Sequence, residues 1–337
     1  MTELKKTPYK WIAARIESLD PCQDYEEIVR LTNCYYTNEF MNNLLYGVIL
    51  TTLVKPEWTA RAIWREDGGK ILHRANVRFE DTEHHNMTWM FYGPHDQHTT
   101  SSIAQVNNLH ARYEKITPGC YGHNDYYVYT LASAALTGDR FPRRLGLPGY
   151  TEKQKIVAHL FYQKLPEQFE THHAHGERKP LTGFPESWED AEVWCERHEH
   201  TDWGPIDPRS ELIAEAVWQQ FAYRYFPPGL RWLGRAVQVA LITPHDLKAI
   251  NAADVHPMTR MLIVWVMGWM FWLLAFAPNP APGESFVEKQ NAIPKEEKTK
   301  RLKGLIAADR VFCPYFARGY KDKRPDCPYF RKLADRL

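Results

Sequence analysis

From Arg78 to Tyr113 the chain reads RFEDTEHHNMTWMFYGPHDQHTTSSIAQVNNLHARY, and the second half of this stretch decides the fold class. Ile103, Val106, His110 and Tyr113 follow at spacings of three, four and three, which places them on one face of a helix. An imidazole on an otherwise apolar stripe points inward, where it must find a hydrogen bond or a metal. Residue physics alone reads His110 as a core histidine with a satisfied ring and leaves metal ligation open. Upstream, Arg78 and Thr82 stand one helical turn apart, and Gly93 in MFYGP marks a break.

Working outward, most segments carry helical apolar spacing. Residues 24–33 and 39–54 read as helices, with Pro56 stopping the second; 57–66 is another, closed by Gly68 and Gly69. Thr99 or Thr100 can cap the His110 helix, which Pro118 and Gly119 end. Asp125 can cap the next helix, expected to stop at Gly138, and Thr151 opens one running towards Leu165. The stretch 171–182, THHAHGERKPLT, reads as a polar loop. A helix with Ser187 and Asp190 in its first turn follows, then one over 209–225 and an amphipathic pair before Ile250. No segment alternates long enough for a sheet, so the expectation is an all-α, single globular helical domain.

Composition narrows the function classes. The 42 basic and 41 acidic side chains leave a formal charge of +1, so no phosphate-neutralising face is implied and a nucleic-acid partner is not expected. The six cysteines (Cys22, Cys34, Cys120, Cys195, Cys313 and Cys327) form no CxxC, which favours free thiols in a reducing compartment. The pairing of Cys313 with Cys327, in two copies of CPYF, stays open. The N-terminus lacks the apolar run of a secretory signal, so an intracellular location, cytoplasmic or at an endomembrane, is expected.

Residues 261–277, MLIVWVMGWMFWLLAFA, hold no charge, and as a helix would extend about 26 Å against a bilayer core of about 30 Å. Trp265, Trp269 and Trp272 share one face rather than forming belts at two ends. A buried helix, an in-plane membrane contact and a span all remain open. Four regions follow: an N-terminal extension over 1–22, a main domain over 23–256, the apolar helix within 257–283, and a charged tail over 284–337, expected to be mobile or loosely docked.

Fifteen histidines need weighing. His84 and His85 are adjacent and point about 100° apart on a helix. His95 and His98 have a spacing that can chelate zinc, with no further ligand at a suitable interval. His172, His173 and His175 read as solvated loop residues, and His198 and His200 as cations favouring a helix C-terminus.

The pattern R…T…FYG…LHARY resembles the core of the rubber oxygenase (latex clearing protein) and mycophenolic-acid-pathway oxygenase family, whose members bind haem b. TLASAALTGDRFPRRLG, YTEKQKIVAHLFYQKL, FPESWEDAEVWCERHE and YFPPGLRWLGRAVQVALITPHDLKAI are similar to the family's later helical blocks in order. The resemblance covers roughly residues 40–250. It implies an all-α fold with haem buried between helices, and His110 as the proximal iron ligand. Tyr113 at the end of the same motif would then be a cofactor contact. Arg78 and Thr82 fall on the distal, catalytic side. Arg78 would stabilise bound oxygen, pair with a haem propionate or form an ordinary salt bridge with Glu80 or Asp81, and Thr82 would hydrogen-bond the distal oxygen or back-bond to its own helix. Glu80 or Asp81 stands where the rubber oxygenases carry lysine, and Tyr126, Tyr127 and Tyr129 replace a segment that often holds histidine, so the resemblance is to a divergent member.

What the resemblance implies is a haem-dependent oxidoreductase of secondary metabolism, an oxygenase, or with peroxide a peroxidase or peroxygenase. Its substrate would be a hydrophobic small molecule such as a terpenoid, prenylated or aromatic natural product. Dioxygen or peroxide would be the co-substrate and an electron donor a further partner; a membrane contact through 261–277 rests on that segment's own apolar run and stays open. Two other readings stand beside it: a cofactor-less, membrane-associated binding or scaffold protein, and a non-haem metal enzyme using His84, His85, His95 or His98.

Overall fold

In a computed structural model, residues 9–65 and 68–309 are described, and they form sixteen α-helices and one small hairpin. The all-α expectation is met. The chain opens with α1 (Trp11–Ser18), α2 (Tyr25–Cys34), α3 (Glu39–Leu53), α4 (Glu57–Trp64) and α5 (Gly69–His73). Asn38 caps α3 by accepting from the Met41 amide at 2.9 Å, which satisfies one of the free N–H groups of its first turn.

Next come α6 (Ala75–Tyr92) and α7 (Gln97–Glu114), a helical hairpin turned at Gly93 and Pro94. Gly93 has φ +88°, and a Cβ there would meet the Glu26 carboxylate at 2.4 Å, so only glycine fits both the backbone and the space. The cap of α7 is Asp96, not Thr99 or Thr100, and it bonds the His98 amide. Helix α8 (Asn124–Arg144) runs through Gly138, where a stop was expected, and carries Pro142 in its last turn. Gly138 is needed for packing instead: a Cβ there would clash with the Tyr150 hydroxyl at 1.8 Å.

Helix α9 (Glu152–Lys164) begins at a Thr151–Gln154 capping box. The stretch read as a loop instead holds β1 (Glu170–His172) and β2 (Arg178–Pro180), paired antiparallel with Thr171 opposite Lys179. The turn between them is closed by His175 and Gly176, both at positive φ. Then follow α10 (Trp188–Glu199), capped by Ser187, α11 (Pro208–Tyr225), α12 (Arg231–Ala240) and α13 (Pro244–Ala249). Helix α14 (Pro257–Leu274) carries the apolar run, and α15 (Phe286–Ala292) and α16 (Lys295–Asp309) complete the described chain.

Among the described residues apolar burial organises four clusters, three of them large and a small one of Cys34, Met87 and Val287. The largest surrounds α11, whose Trp218 is fully buried and donates its indole N–H to Thr51 Oγ1 on α3 at 3.2 Å. A second joins α1, α2, α7, α8 and α9 through Ile12, Ile28, Ile103, Leu131 and Phe161. A third packs α8 against α10 through Leu136, Trp188 and Cys195.

Residues 284–309 correct the expectation of a loosely docked tail. Helix α16 packs on α6: Asp309 accepts from the Asn76 backbone amide at 2.9 Å and from its side chain at 2.7 Å. Arg301 pairs with Glu39 and Glu80, which also hold Arg224, so a charge cluster ties α3, α6, α11 and α16 together. Cys22, Cys34, Cys120 and Cys195 are free thiols, and Cys313 and Cys327 lie outside the described residues.

Candidate functional site

Between the cores lies a cavity of about 680 Å³, lined by α2, α3, α4, α6, α7, α8 and α9. Its volume falls in the range typical of small-molecule and cofactor sites, about 300–1,000 Å³. The walls are mostly apolar and aromatic, with polar groups at a few points.

The α6–α7 hairpin explains why residues far apart in sequence meet here. Arg78 and His110 are equally distant from Pro94 along the two antiparallel arms, so both stand at the same height, and both line the cavity. The lower rungs confirm the register: His85 Nδ1 lies 2.7 Å from Ser102 Oγ, and Trp89 donates to the same hydroxyl at 2.9 Å.

His110 is enclosed by protein, and the surface it retains opens onto the cavity. Its Nδ1 lies 2.9 Å from the Tyr127 hydroxyl on α8, and Nε2 has no hydrogen-bond partner among the described residues. Burial pushes its pKa down to about 3, with His172, Arg78 and His85 adding to the effect, so the ring is neutral at ordinary pH. Burial likewise lifts Tyr127 well above the usual phenol range and keeps it a neutral phenol. When the Tyr127 hydroxyl accepts a hydrogen bond from Nδ1–H, the Nε2 lone pair is free for a ligand, the tautomer that ligation through Nε2 requires.

Arg78 is half-buried, and its guanidinium donates to Thr82 Oγ1 at 2.5 Å. Thr82 in turn donates to the Arg78 carbonyl at 3.1 Å, so this hydroxyl is committed to its own helix and to positioning the arginine. The carboxylates beside Arg78 in sequence are engaged elsewhere: Glu80 with Arg224 and Arg301, Asp81 with Lys70. No ion pair to Arg78 occurs among the described residues, which leaves a cation at the wall of an apolar cavity. Close by, the hydroxyl of Tyr46 is buried without a partner and also lines the cavity. A bound anionic group would satisfy both donors.

Tyr113 is not part of the cavity wall. Its ring faces the guanidinium of Arg65 at 4.8 Å, so the structure does not place it with His110 as a cofactor contact. His123 stacks on Trp58 at 4.1 Å, and Tyr126 donates to the Leu53 carbonyl. Among the other histidines, His95 bonds Tyr25, His98 bonds Asp96, and His84 is exposed. Among the described residues no three His, Cys, Asp or Glu side chains converge to hold a metal ion, which removes the support for a multi-ligand non-haem site at His84, His85, His95 and His98. His172 is 2% exposed with both ring nitrogens unpartnered, so it is not a solvated loop residue; its ring sits 6.3 Å from that of His110. His198 stacks on Tyr129, and burial lowers its pKa to about 4, so it is a neutral packing residue rather than a helix-terminal cation.

Sequence reasoning missed Glu83. It lies in the cavity wall, 8% exposed, accepting from Asn42 Nδ2 at 2.8 Å. Burial raises its pKa to about 7, opposed by the Asn42 bond and Arg224 and reinforced by Glu80 and Glu39. Because the folded pKa exceeds the unfolded value of about 4.5, the folded state holds this proton more tightly. Its contribution is present below pH 4.5 and lost as pH rises through 7. Glu83→Gln should therefore match the wild type near pH 4 and exceed it in stability at pH 8, by on the order of 3 kcal/mol. Urea denaturation at both pH values checks this; an identical difference at the two would refute a raised pKa.

No family model matches the chain, and no curated protein matches it at a significant level.

Proposed function

We propose that this chain is a haem b-dependent oxygenase acting on a hydrophobic small molecule, as its resemblance to the rubber oxygenase and mycophenolic-acid-pathway oxygenase family implies. One observation carries the reading: a neutral histidine, oriented through Nδ1 by Tyr127, lines a large apolar cavity that also holds an arginine with no carboxylate partner among the described residues. The residues present fit the group. His110 would hold the iron through Nε2, with Tyr127 fixing its tautomer and ring plane. Arg78 and Tyr46 would donate to a propionate or to a reduced oxygen species. Haem b, when bound, supplies the activation of dioxygen or peroxide.

The chain's own groups supply the rest. Thr82 holds Arg78 in place, and the mostly apolar walls lower the local dielectric, which strengthens interactions with charge inside. Glu83 holds a proton at its carboxyl near neutral pH, within the same cavity wall. A terpenoid, prenylated or aromatic substrate suits walls of this chemistry.

The test is dioxygen uptake by the haem-loaded protein given geranylgeraniol or a prenylated phenol dispersed in detergent, with a parallel assay using hydrogen peroxide. Substrate-dependent consumption of either oxidant is the expected result. A haem-loaded protein that consumes neither with any probe would overturn the oxygenase assignment. The exposed apolar face of α14 favours a second reading, a membrane-associated binding protein without a cofactor, and haem content separates the two.

A further inference from the structure

Helix α14 is neither a core helix nor an ordinary surface helix. Only 17% of its 18-residue apolar window is buried. The buried stripe is narrow: Ile263, Met267 and Gly268 face the body, and a Cβ at Gly268 would meet the Leu145 carbonyl at 2.5 Å. The rest is open. Trp265 is 60% exposed, Trp269 49% and Leu273 58%, and the rings of Trp265, Trp269, Trp272 and Phe276 form an edge-on ladder along the exposed side. On α12, which packs beside α14, Trp232 is exposed as well. Exposed apolar surface this extensive on a soluble fold marks an interaction site.

We propose that α14 lies flat in the interfacial region of a phospholipid bilayer and seats the protein there, with the adjoining end of the cavity at the membrane. Four observations select lipid as the occupant. Between Met261 and Ala277 the only side-chain hydrogen-bonding groups are the indole N–H groups, whereas a protein interface carries about one hydrogen bond per 100–200 Å² and a polar rim. The indole N–H groups of Trp265, Trp269 and Trp272 have no hydrogen-bond partner among the described residues, and an apolar ring with one free donor suits the headgroup boundary. Cations flank the helix: Lys10 donates to the Ala275 and Ala277 carbonyls, and Arg144, exposed beside Leu145, donates to the Leu241 carbonyl. Neither has a carboxylate partner among the described residues, a charge balance that suits anionic lipid. Finally, Phe271 of α14 lines the cavity, as do Phe141 and Leu145 beneath it, so the apolar surface continues from the exposed face into the interior.

Both ends of α14 are tied to the body, which sets the orientation. Arg260 donates to the Ala240 carbonyl at 2.6 Å and to that of Ile242 at 2.5 Å, and Lys10 holds the other end. A span would have to break these ties and expose the buried stripe, whereas an in-plane helix keeps both. Delivery of a lipophilic substrate from the bilayer to the cavity rests on the function proposed above; the docking itself does not.

Flotation of the purified full chain, with or without haem, on phosphatidylcholine–phosphatidylglycerol vesicles tests the docking. The wild type should float with the vesicles, and a variant carrying Trp265→Glu and Leu273→Glu should do so about tenfold less while keeping its helical circular dichroism. Bromine near the headgroup end of the acyl chains should quench the Trp269 fluorescence more than bromine at the chain ends, with Trp269→Phe giving the difference signal. A wild type that stays with the soluble fraction, or a variant that floats equally well, would overturn the proposal. So would stronger quenching from the chain ends, which means a span, or a lipid-free dimer that the variant dissolves, which assigns the face to a second copy.

Discussion

His110→Ala should purify folded but without haem. The side chain lines the cavity and is held by one bond, from Nδ1 to the Tyr127 hydroxyl at 2.9 Å, so its removal leaves the helical frame intact. Loss of a residue that only orients a metal ligand typically costs about 10–100-fold in affinity, and loss of the ligand itself should exceed that. The measurement is the Soret absorbance retained after gel filtration, with circular dichroism confirming the fold. Tyr127→Phe serves as the graded case: it frees the imidazole tautomer while keeping the ligand, so it should bind about tenfold more weakly. A His110→Ala protein with a full haem complement would place the ligand elsewhere.

The second large effect concerns stability. Lys55 Nζ lies 2.5 Å from Asp246 Oδ1 with both side chains under a tenth exposed, and it also donates to the Glu199 carbonyl at 3.2 Å. This buried pair fastens the end of α3 to α13 and to the end of α10. Asp246→Ala leaves an ammonium group enclosed without its counter-charge, and breaking a buried pair in this way costs about 3–5 kcal/mol. Replacing both partners with apolar residues, Lys55→Met with Asp246→Leu, should recover most of the loss because no charge is then buried alone. Urea denaturation of the three proteins checks both statements. A loss below about 1 kcal/mol in Asp246→Ala would show that water reaches the lysine.

The helical class and most helix starts were legible because they rest on local chemistry: Thr151 with Gln154 and Ser187 ahead of Asp190 cap where spacing predicts. The inward aim of His110 was legible for the same reason, being a matter of period within one helix. The fate of Tyr113 was not. It shares the sequence face of His110, yet Arg65 from a preceding segment draws its ring away, and no spacing records such a contact. The short β1–β2 hairpin was hidden because its strands are three residues each, too brief for an alternating pattern. Tyr127, Glu83 and Tyr46 reach the cavity from three different helices, so only the assembled fold reveals them. The docked tail was misread because its charges, solvated in a linear reading, find partners in Glu39, Glu80 and Asn76.

One measurement bears most directly on the proposed cofactor: the absorption spectrum and pyridine haemochrome content of the chain purified from cells supplied with haem precursor. A Soret band with close to one haem b per chain is the predicted result. A colourless protein that also fails to take up added hemin would contradict it.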